Sequence, residues 1–282
     1  MADEAGSVSL SSFSAEPLLR IAGLTKAFRG LKAVDELDID VEPGTIHGVI
    51  GPNGAGKTTV FNLVSGITKP DAGSVVLGGV RLDALSSYRR TRHGLARTFQ
   101  NIRMFPDGTV RENVLTGMHV RLRSGLATAL LRLPSHKAEE REAHAEADAL
   151  LALVGLDRPV ADRRAGDLPY GDQRRVEIAR ALASRPKVLL LDEPAAGMNP
   201  VETGSLVPLI RRLADELGIT VLLVEHDMKL VMTLCDRITV MNFGRKIADG
   251  APKEVREHPA VIEAYLGHKH AGEIARAEAH VA

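Results

Sequence analysis

Apolar and polar residues alternate from Leu18 to Val41, in LLRIAGL and again in AVDELDIDV, with the turn-like pair Arg29-Gly30 between the two runs. Alternation at period two predicts strands covered on one face, and the turn makes the pair antiparallel. The text then changes character. Thr45–Ile50, Val188–Leu191 and Ile219–Val224 are nearly continuous apolar runs and read as buried strands. Helical segments precede the last two, which implies parallel pairing through crossovers, so side chains at their ends share one edge of the sheet. From Ala138 to Val154 the text AEEREAHAEADALLALV is strong helix former throughout and stops at Gly155, as expected of a helical lobe outside the sheet. Beyond Asp236, short strands are expected around Phe243-Gly244 and helices entered at Pro252 and Pro259. Pro208, inside the helical run Val201–Leu217, marks a kink or a helix start.

These elements predict an α/β fold in one domain over residues 18–267, with a helical subdomain at about 101–184 inserted in the core. Residues 1–17 read as a disordered tail, and 268–282 as a second tail. A chain of 282 residues buries a full core, and it contains no internal repeat. Lys plus Arg and Asp plus Glu both total 36, so the formal net charge is zero. Such a chain lacks the global field that holds a nucleic-acid backbone, and no nucleic-acid partner is expected. Its apolar runs fall well short of the roughly 20 residues that span a bilayer. The opening MADEAGSVSLSSFSAEP has no basic segment leading into an apolar stretch and is not read as a secretory signal. Cys235 is the single cysteine, which rules out an internal disulfide and suits a reducing compartment. The stretch VRLRSGLATALLRL, Val120 to Leu133, combines basic residues with an apolar stripe and fits packing within the lobe, or a lipid or partner surface.

The chemistry begins at Gly51-Pro52-Asn53-Gly54-Ala55-Gly56-Lys57-Thr58-Thr59, which fits G-x-x-x-x-G-K-[ST] between a strand and a helix-forming run. Glycines let successive backbone N–H groups turn inward around phosphate oxygens, the helix N-terminus adds partial positive charge, and Lys57 adds a full one. The Thr58 hydroxyl is then a candidate ligand of Mg²⁺. Asp192-Glu193 follow a buried strand and bring two carboxylates beside that loop. Asp192 is expected to hold Mg²⁺ directly or through water, and Glu193 to take a proton from the attacking water. His226, one place after Glu225, ends a third strand, where it can donate to a γ-phosphate or be merely structural.

A phosphate loop alone leaves kinases, GTPases and many ATPases open. Leu168-Pro169-Tyr170-Gly171-Asp172-Gln173, running into a helix that ends ARAL, resembles the signature of the ATP-binding-cassette ATPases, LSGGQ. That resemblance implies a P-loop NTPase parallel sheet core with an antiparallel β subdomain and an inserted α-helical subdomain. It implies, too, a head-to-tail pair of cassettes in which each signature, here Leu168, Tyr170, Gly171 and Asp172, caps the ATP on the other's phosphate loop. By the same resemblance Gln100 in RTFQN links ATP and Mg²⁺ to the membrane subunits, Ala196 to Asn199 cross the dimer, His226 is the switch histidine and Phe28 stacks on adenine. GPNGAGKTTVFN, RTFQNIR, LDEPAAGMNPVET, EHDMKLVM and VIEAYLG are similar to ATPase subunits of branched-chain amino acid importers. The implied partners are membrane permease subunits, a second ATPase subunit that is a copy or a sister, and indirectly an external solute-binding protein. The implied place is the cytoplasm, against the inner face of the membrane.

Two positions depart from the family pattern. Pro169 stands where the family has serine, and Asp172 where it has glutamine. Proline donates from neither side chain nor backbone. A hydrogen bond to a charged group is typically worth roughly 1.5–3 kcal/mol, so capping should weaken by roughly 10- to 100-fold. Both residues still suit a helix start. A weakly hydrolysing or regulatory cassette, and an importer of another small solute, therefore stay open as alternatives. No N-K-x-D tetrad for guanine is present.

Overall fold

The computed structural model describes residues 16–121 and 134–265. Most of the expected N-terminal tail, the whole of 268–282, and residues 122–133 of the basic apolar stretch lie outside them.

Strands β1 (Leu19–Phe28) and β2 (Leu31–Val41) form the expected hairpin, closed by Phe28 opposite Leu31. With β4 (Ala72–Leu77) and β5 (Val80–Arg81) they make an antiparallel sheet in the order β2-β1-β4-β5. The second sheet has six strands in the order β10-β9-β3-β8-β7-β6. Its members are β3 (Ile46–Ile50), β6 (Leu95–Arg97), β7 (Val188–Asp192), β8 (Thr220–Val224), β9 (Arg237–Asn242) and β10 (Arg245–Gly250). Pairing is parallel from β9 through β3, β8 and β7 to β6, and only the edge strand β10 runs antiparallel.

Continuous apolar text is required because this sheet is covered on both faces. Alternate residues of one strand enter different cores: Val188 and Leu190 face the antiparallel sheet and helix α1 (Lys57–Ser65), while Leu189 and Leu191 face the helices. Helix α2 (Ser87–Arg92) lies by the end of α1, where buried Arg90 donates to the Leu63 and Val64 carbonyls. The helical side comprises α3 (Val110–Gly117), α4 (Pro134–Leu153), α5 (Arg158–Ala161), α6 (Tyr170–Leu182), α7 (Pro200–Asp215), α8 (Met228–Leu234) and α9 (Pro252–Glu257). Helices α3, α4 and α6 pack on one another and share buried Val114, Ala147, Leu151, Val176 and Ala179.

Helix α7 resolves the reading of Pro208. It starts at Pro200, where the missing N–H costs nothing, and Asn199 caps it by accepting from the N–H groups of Val201 and Glu202. Pro208 lies in its interior and starts no helix. Pro208 has no N–H for the carbonyl of Gly204 four places earlier, so the helix continues past it one hydrogen bond short.

Candidate active site

Strand β3 delivers the chain to the phosphate loop, and two of its glycines are obligatory. A Cβ on Gly51 would collide with the Met241 carbonyl oxygen, and one on Gly56 with that of Ala33; both have φ in the left-handed half of the map. Ala33 belongs to β2, so the hairpin that ends in Phe28 lies against the loop. The Phe28 ring is half exposed, with Lys26 Nζ 5.6 Å from its centroid. Lys57 opens α1, but its ammonium is turned back on the loop, donating to the carbonyls of Gly51 at 2.7 Å and Pro52 at 3.0 Å. Burial holds that ammonium below the usual lysine range, against the pull of Glu193. Asn53, Gly54 and Thr58 are exposed, Thr59 is half-buried, and Pro52 and Ala55 are buried. On the far side of Gly51, burial pushes the Tyr265 hydroxyl of VIEAYLG up to about 12, while the Gly51 backbone pulls it the other way.

Asp192 and Glu193 are neighbours in the chain with opposite surroundings. Asp192 is buried at the end of β7, and Arg97 Nη2 donates to its Oδ2 at 2.7 Å. Arg97 also donates to Asn62 Oδ1 and Ser65 Oγ, both at 2.8 Å, and its guanidinium lies between the rings of Phe61 and Phe99. Glu193 turns away from the strand with φ 47°, its N–H still bonded to the Val224 carbonyl. Its carboxylate faces solvent, accepts from Gln100 Nε2 at 2.9 Å, and lies 3.7 Å from Nδ1 of the exposed His226. Glu225, 1% exposed, ties the two loops by accepting from the N–H groups of Ala195 and His226.

The fold thus gathers Lys57, Gln100, Asp192, Glu193 and His226 at one edge of the parallel sheet, as the strand order demanded. The Leu168–Asp172 segment stands apart: no hydrogen bond among the described residues joins it to the phosphate loop. Leu168 is buried, Pro169 precedes α6 without a side-chain cap, Tyr170 is partly exposed, and Asp172 occupies the first turn. A Cβ on Gly171 would stand 2.8 Å from the Glu202 carboxylate and require that side chain to move. The sequence reading overlooked Arg97, Glu225, and the buried pair Arg174 and Glu177. Charges inside apolar text, such as Arg97 in LAR, were the available signal.

A parallel sheet with its phosphate loop, acidic pair and histidine on one edge, flanked by an antiparallel sheet and a helical lobe, defines a cassette-type ATPase. The chain belongs to the ABC transporter family, whose profile matches residues 34–196. A second profile, described as branched-chain amino acid ATP-binding cassette transporter, matches residues 245–271. The high-affinity branched-chain amino acid transport ATP-binding protein BraF of Pseudomonas aeruginosa is 47% identical over 251 residues, covering 89% of this chain and 98% of BraF. The protein of the same description from Escherichia coli K12, LivG, is 47% identical over 252 residues, with the same 89% and 98% coverage. Among solved structures, the ADP conformation of MJ1267, an ATP-binding cassette of an ABC transporter, superposes with a TM-score of 0.78 at 32% identity, covering 90% of this chain and all of that one. A nucleotide-free cassette gives 0.76 at 33% identity, covering 88% of this chain and 98% of that one.

Proposed function

We propose that this chain is the ATP-hydrolysing subunit of an importer of branched-chain or other hydrophobic amino acids, working as one of two paired cassettes beneath separate membrane subunits. The observation that carries the catalytic part is Glu193, a carboxylate held toward solvent by Gln100 within 3.7 Å of His226, beside a phosphate loop. The likeness to BraF and LivG over nearly their full length supports the solute class. No helix among the described residues is long and apolar enough to cross a membrane, which suits a subunit that needs membrane partners.

Each residue has a task in this reading. Lys57 leaves the Gly51 and Pro52 carbonyls for the β- and γ-phosphates, the N–H groups of the Gly51–Thr59 loop other than Pro52 wrap the phosphates, and Phe28 stacks on the adenine. Glu193 takes the proton of the attacking water while Gln100 and His226 fix its direction, and His226 donates to the γ-phosphate. Thr58, Asp192 and Gln100 offer only oxygen donors, the set a hard divalent cation prefers, and they fit Mg²⁺. When bound, that ion neutralises phosphate charge. The Asp192 carboxylate is held in advance by Arg97 through one oxygen. Leu168, Tyr170, Gly171 and Asp172 face the partner cassette's nucleotide, and an external solute-binding protein completes the importer.

The test is ATP hydrolysis and leucine uptake by the chain assembled with its membrane subunits in vesicles, beside its Glu193→Gln variant. Both activities should vanish together in the variant while ATP binding persists. Hydrolysis that survives the substitution would overturn the catalytic assignment, and hydrolysis without uptake of any apolar amino acid would overturn the solute class.

A further inference from the structure

Two of the most deeply buried side chains of the molecule are ionic, lie on the signature helix and have no place in the chemistry above. Arg174 and Glu177, at 0% and 1% exposure, pair at 2.6 Å one turn into α6. An apolar pair of the same volume would pack there without the cost of taking two charges out of water, so packing alone does not account for them. What an apolar pair cannot do is hold backbone. Arg174 Nη1 donates to the Phe99 carbonyl at 2.7 Å and Nη2 to that of Gln100 at 2.8 Å, while the Phe99 N–H donates to Glu177 Oε1 at 3.2 Å. The main chain on which Gln100 stands is therefore gripped on both its donor and its acceptor side by α6.

The grip continues in both directions. Outward, the Gln100 side chain reaches Glu193. Toward the start of α6, Arg174 Nη2 donates to the Tyr170 hydroxyl at 3.2 Å, and the Tyr170 ring lies close enough to Gly197 that a Cβ there would stand 3.2 Å from it. Tyr170 belongs to the segment that faces a partner's nucleotide, and Gly197 to the loop that follows Glu193. One guanidinium thus connects the surface offered to the second nucleotide with the loop that orients this chain's own carboxylate.

We propose that the Arg174–Glu177 pair is the positioning link between the two nucleotide sites of the paired cassettes. Seating of the partner's nucleotide on residues 168–172 shifts the start of α6, and the pair carries that shift to Gln100 and so to Glu193. The link rests on the paired-cassette reading. It requires the second nucleotide to bind on the order of 10-fold more tightly than the first, with the coupling lost when the pair is lost.

The test is equilibrium binding of a fluorescent, non-hydrolysable ATP analogue to the assembled transporter, which does not depend on turnover. Single substitutions leave a buried charge and risk misfolding, so the deciding variant is Arg174→Met with Glu177→Leu, which removes both charges and keeps the volume. The wild type should bind with a Hill coefficient clearly higher than that of the double variant, below the limit of about 2 set by two sites. The double variant strands the Phe99 and Gln100 backbone groups, so its melting temperature should fall modestly while its circular dichroism stays that of the folded chain; it should keep the first-site affinity within about twofold, yet bind with a Hill coefficient below that of the wild type. A Hill coefficient in the double variant equal to that of the wild type would overturn the link. A wild type that binds cooperatively and never hydrolyses would overturn the ATPase assignment and leave the link standing.

Discussion

The two surfaces proposed to meet nucleotide, the phosphate loop and the signature segment, are built to different standards. On the phosphate side, four groups have partners within the chain: Lys57 in loop carbonyls, Asp192 in Arg97, Glu193 in Gln100, and the His226 backbone N–H in Glu225. On the signature side, Pro169 stands where a hydroxyl donor is expected, and Asp172 adds a negative charge where a second nucleotide would place its phosphates. In the proposed reading the hydrolytic groups are complete, and the groups that would attract a partner's phosphate are depleted. Paired with a sister cassette of better signature, this chain would then give unequal sites, the stronger being the one on its own phosphate loop.

The comparison can be broken most forcefully at Glu193. Its change to glutamine should lower hydrolysis about 100- to 10,000-fold, the worth of a positioned general base, with ATP affinity unchanged in a binding assay. An equal loss from a signature substitution would erase the distinction between the sides. Arg97→Met comes next. It strands the Asp192 carboxylate, 3% exposed, and should destabilise the fold by about 3–5 kcal/mol in urea unfolding. An unchanged midpoint would mean that the phosphate side is not prepared in advance.

Repair sharpens the comparison from the other side. Pro169→Ser with Asp172→Gln should raise dimer-dependent hydrolysis by about 10- to 100-fold, read as a rate that climbs faster than protein concentration. No change would show that the signature was never the weak partner. The smallest effect concerns acid. His47 on β3 is buried, its ring Nε2 2.8 Å from Thr239 Oγ1, and burial lowers it to about 4, with the Asp249 carboxylate opposing. The unfolded chain takes up this proton first as pH falls, so the stabilisation is complete above about pH 6.5 and is lost progressively toward about pH 4. Between pH 7 and pH 5.5 the loss should be about 1 kcal/mol, flattened in His47→Gln, as measured by urea midpoints across that range.

The legible part of the molecule is its local part. The phosphate loop, the acidic pair and the β1–β2 hairpin are written in contiguous residues, so spacing and period suffice to find them. Arg97 and Arg174 were not found, because their meaning depends on partners 95 and 75 residues away. An arginine at a strand end reads as an exposed charge until the strand beside it is known. Of the two readings of Pro208, a kink or a helix start, the second is excluded because the helix begins at Pro200, where Asn199 supplies the cap.

Glu193 holds a left-handed backbone conformation, φ 47°, that an ordinary side chain occupies at a cost of about 1–2 kcal/mol and glycine occupies freely. The residue proposed to activate water thus sits where the local backbone would readily accept glycine. Selection for stability and selection for turnover pull against each other at this single codon. A duplicated copy released from the second of these pressures would drift toward glycine there, becoming a sturdier protein that grips ATP and never spends it.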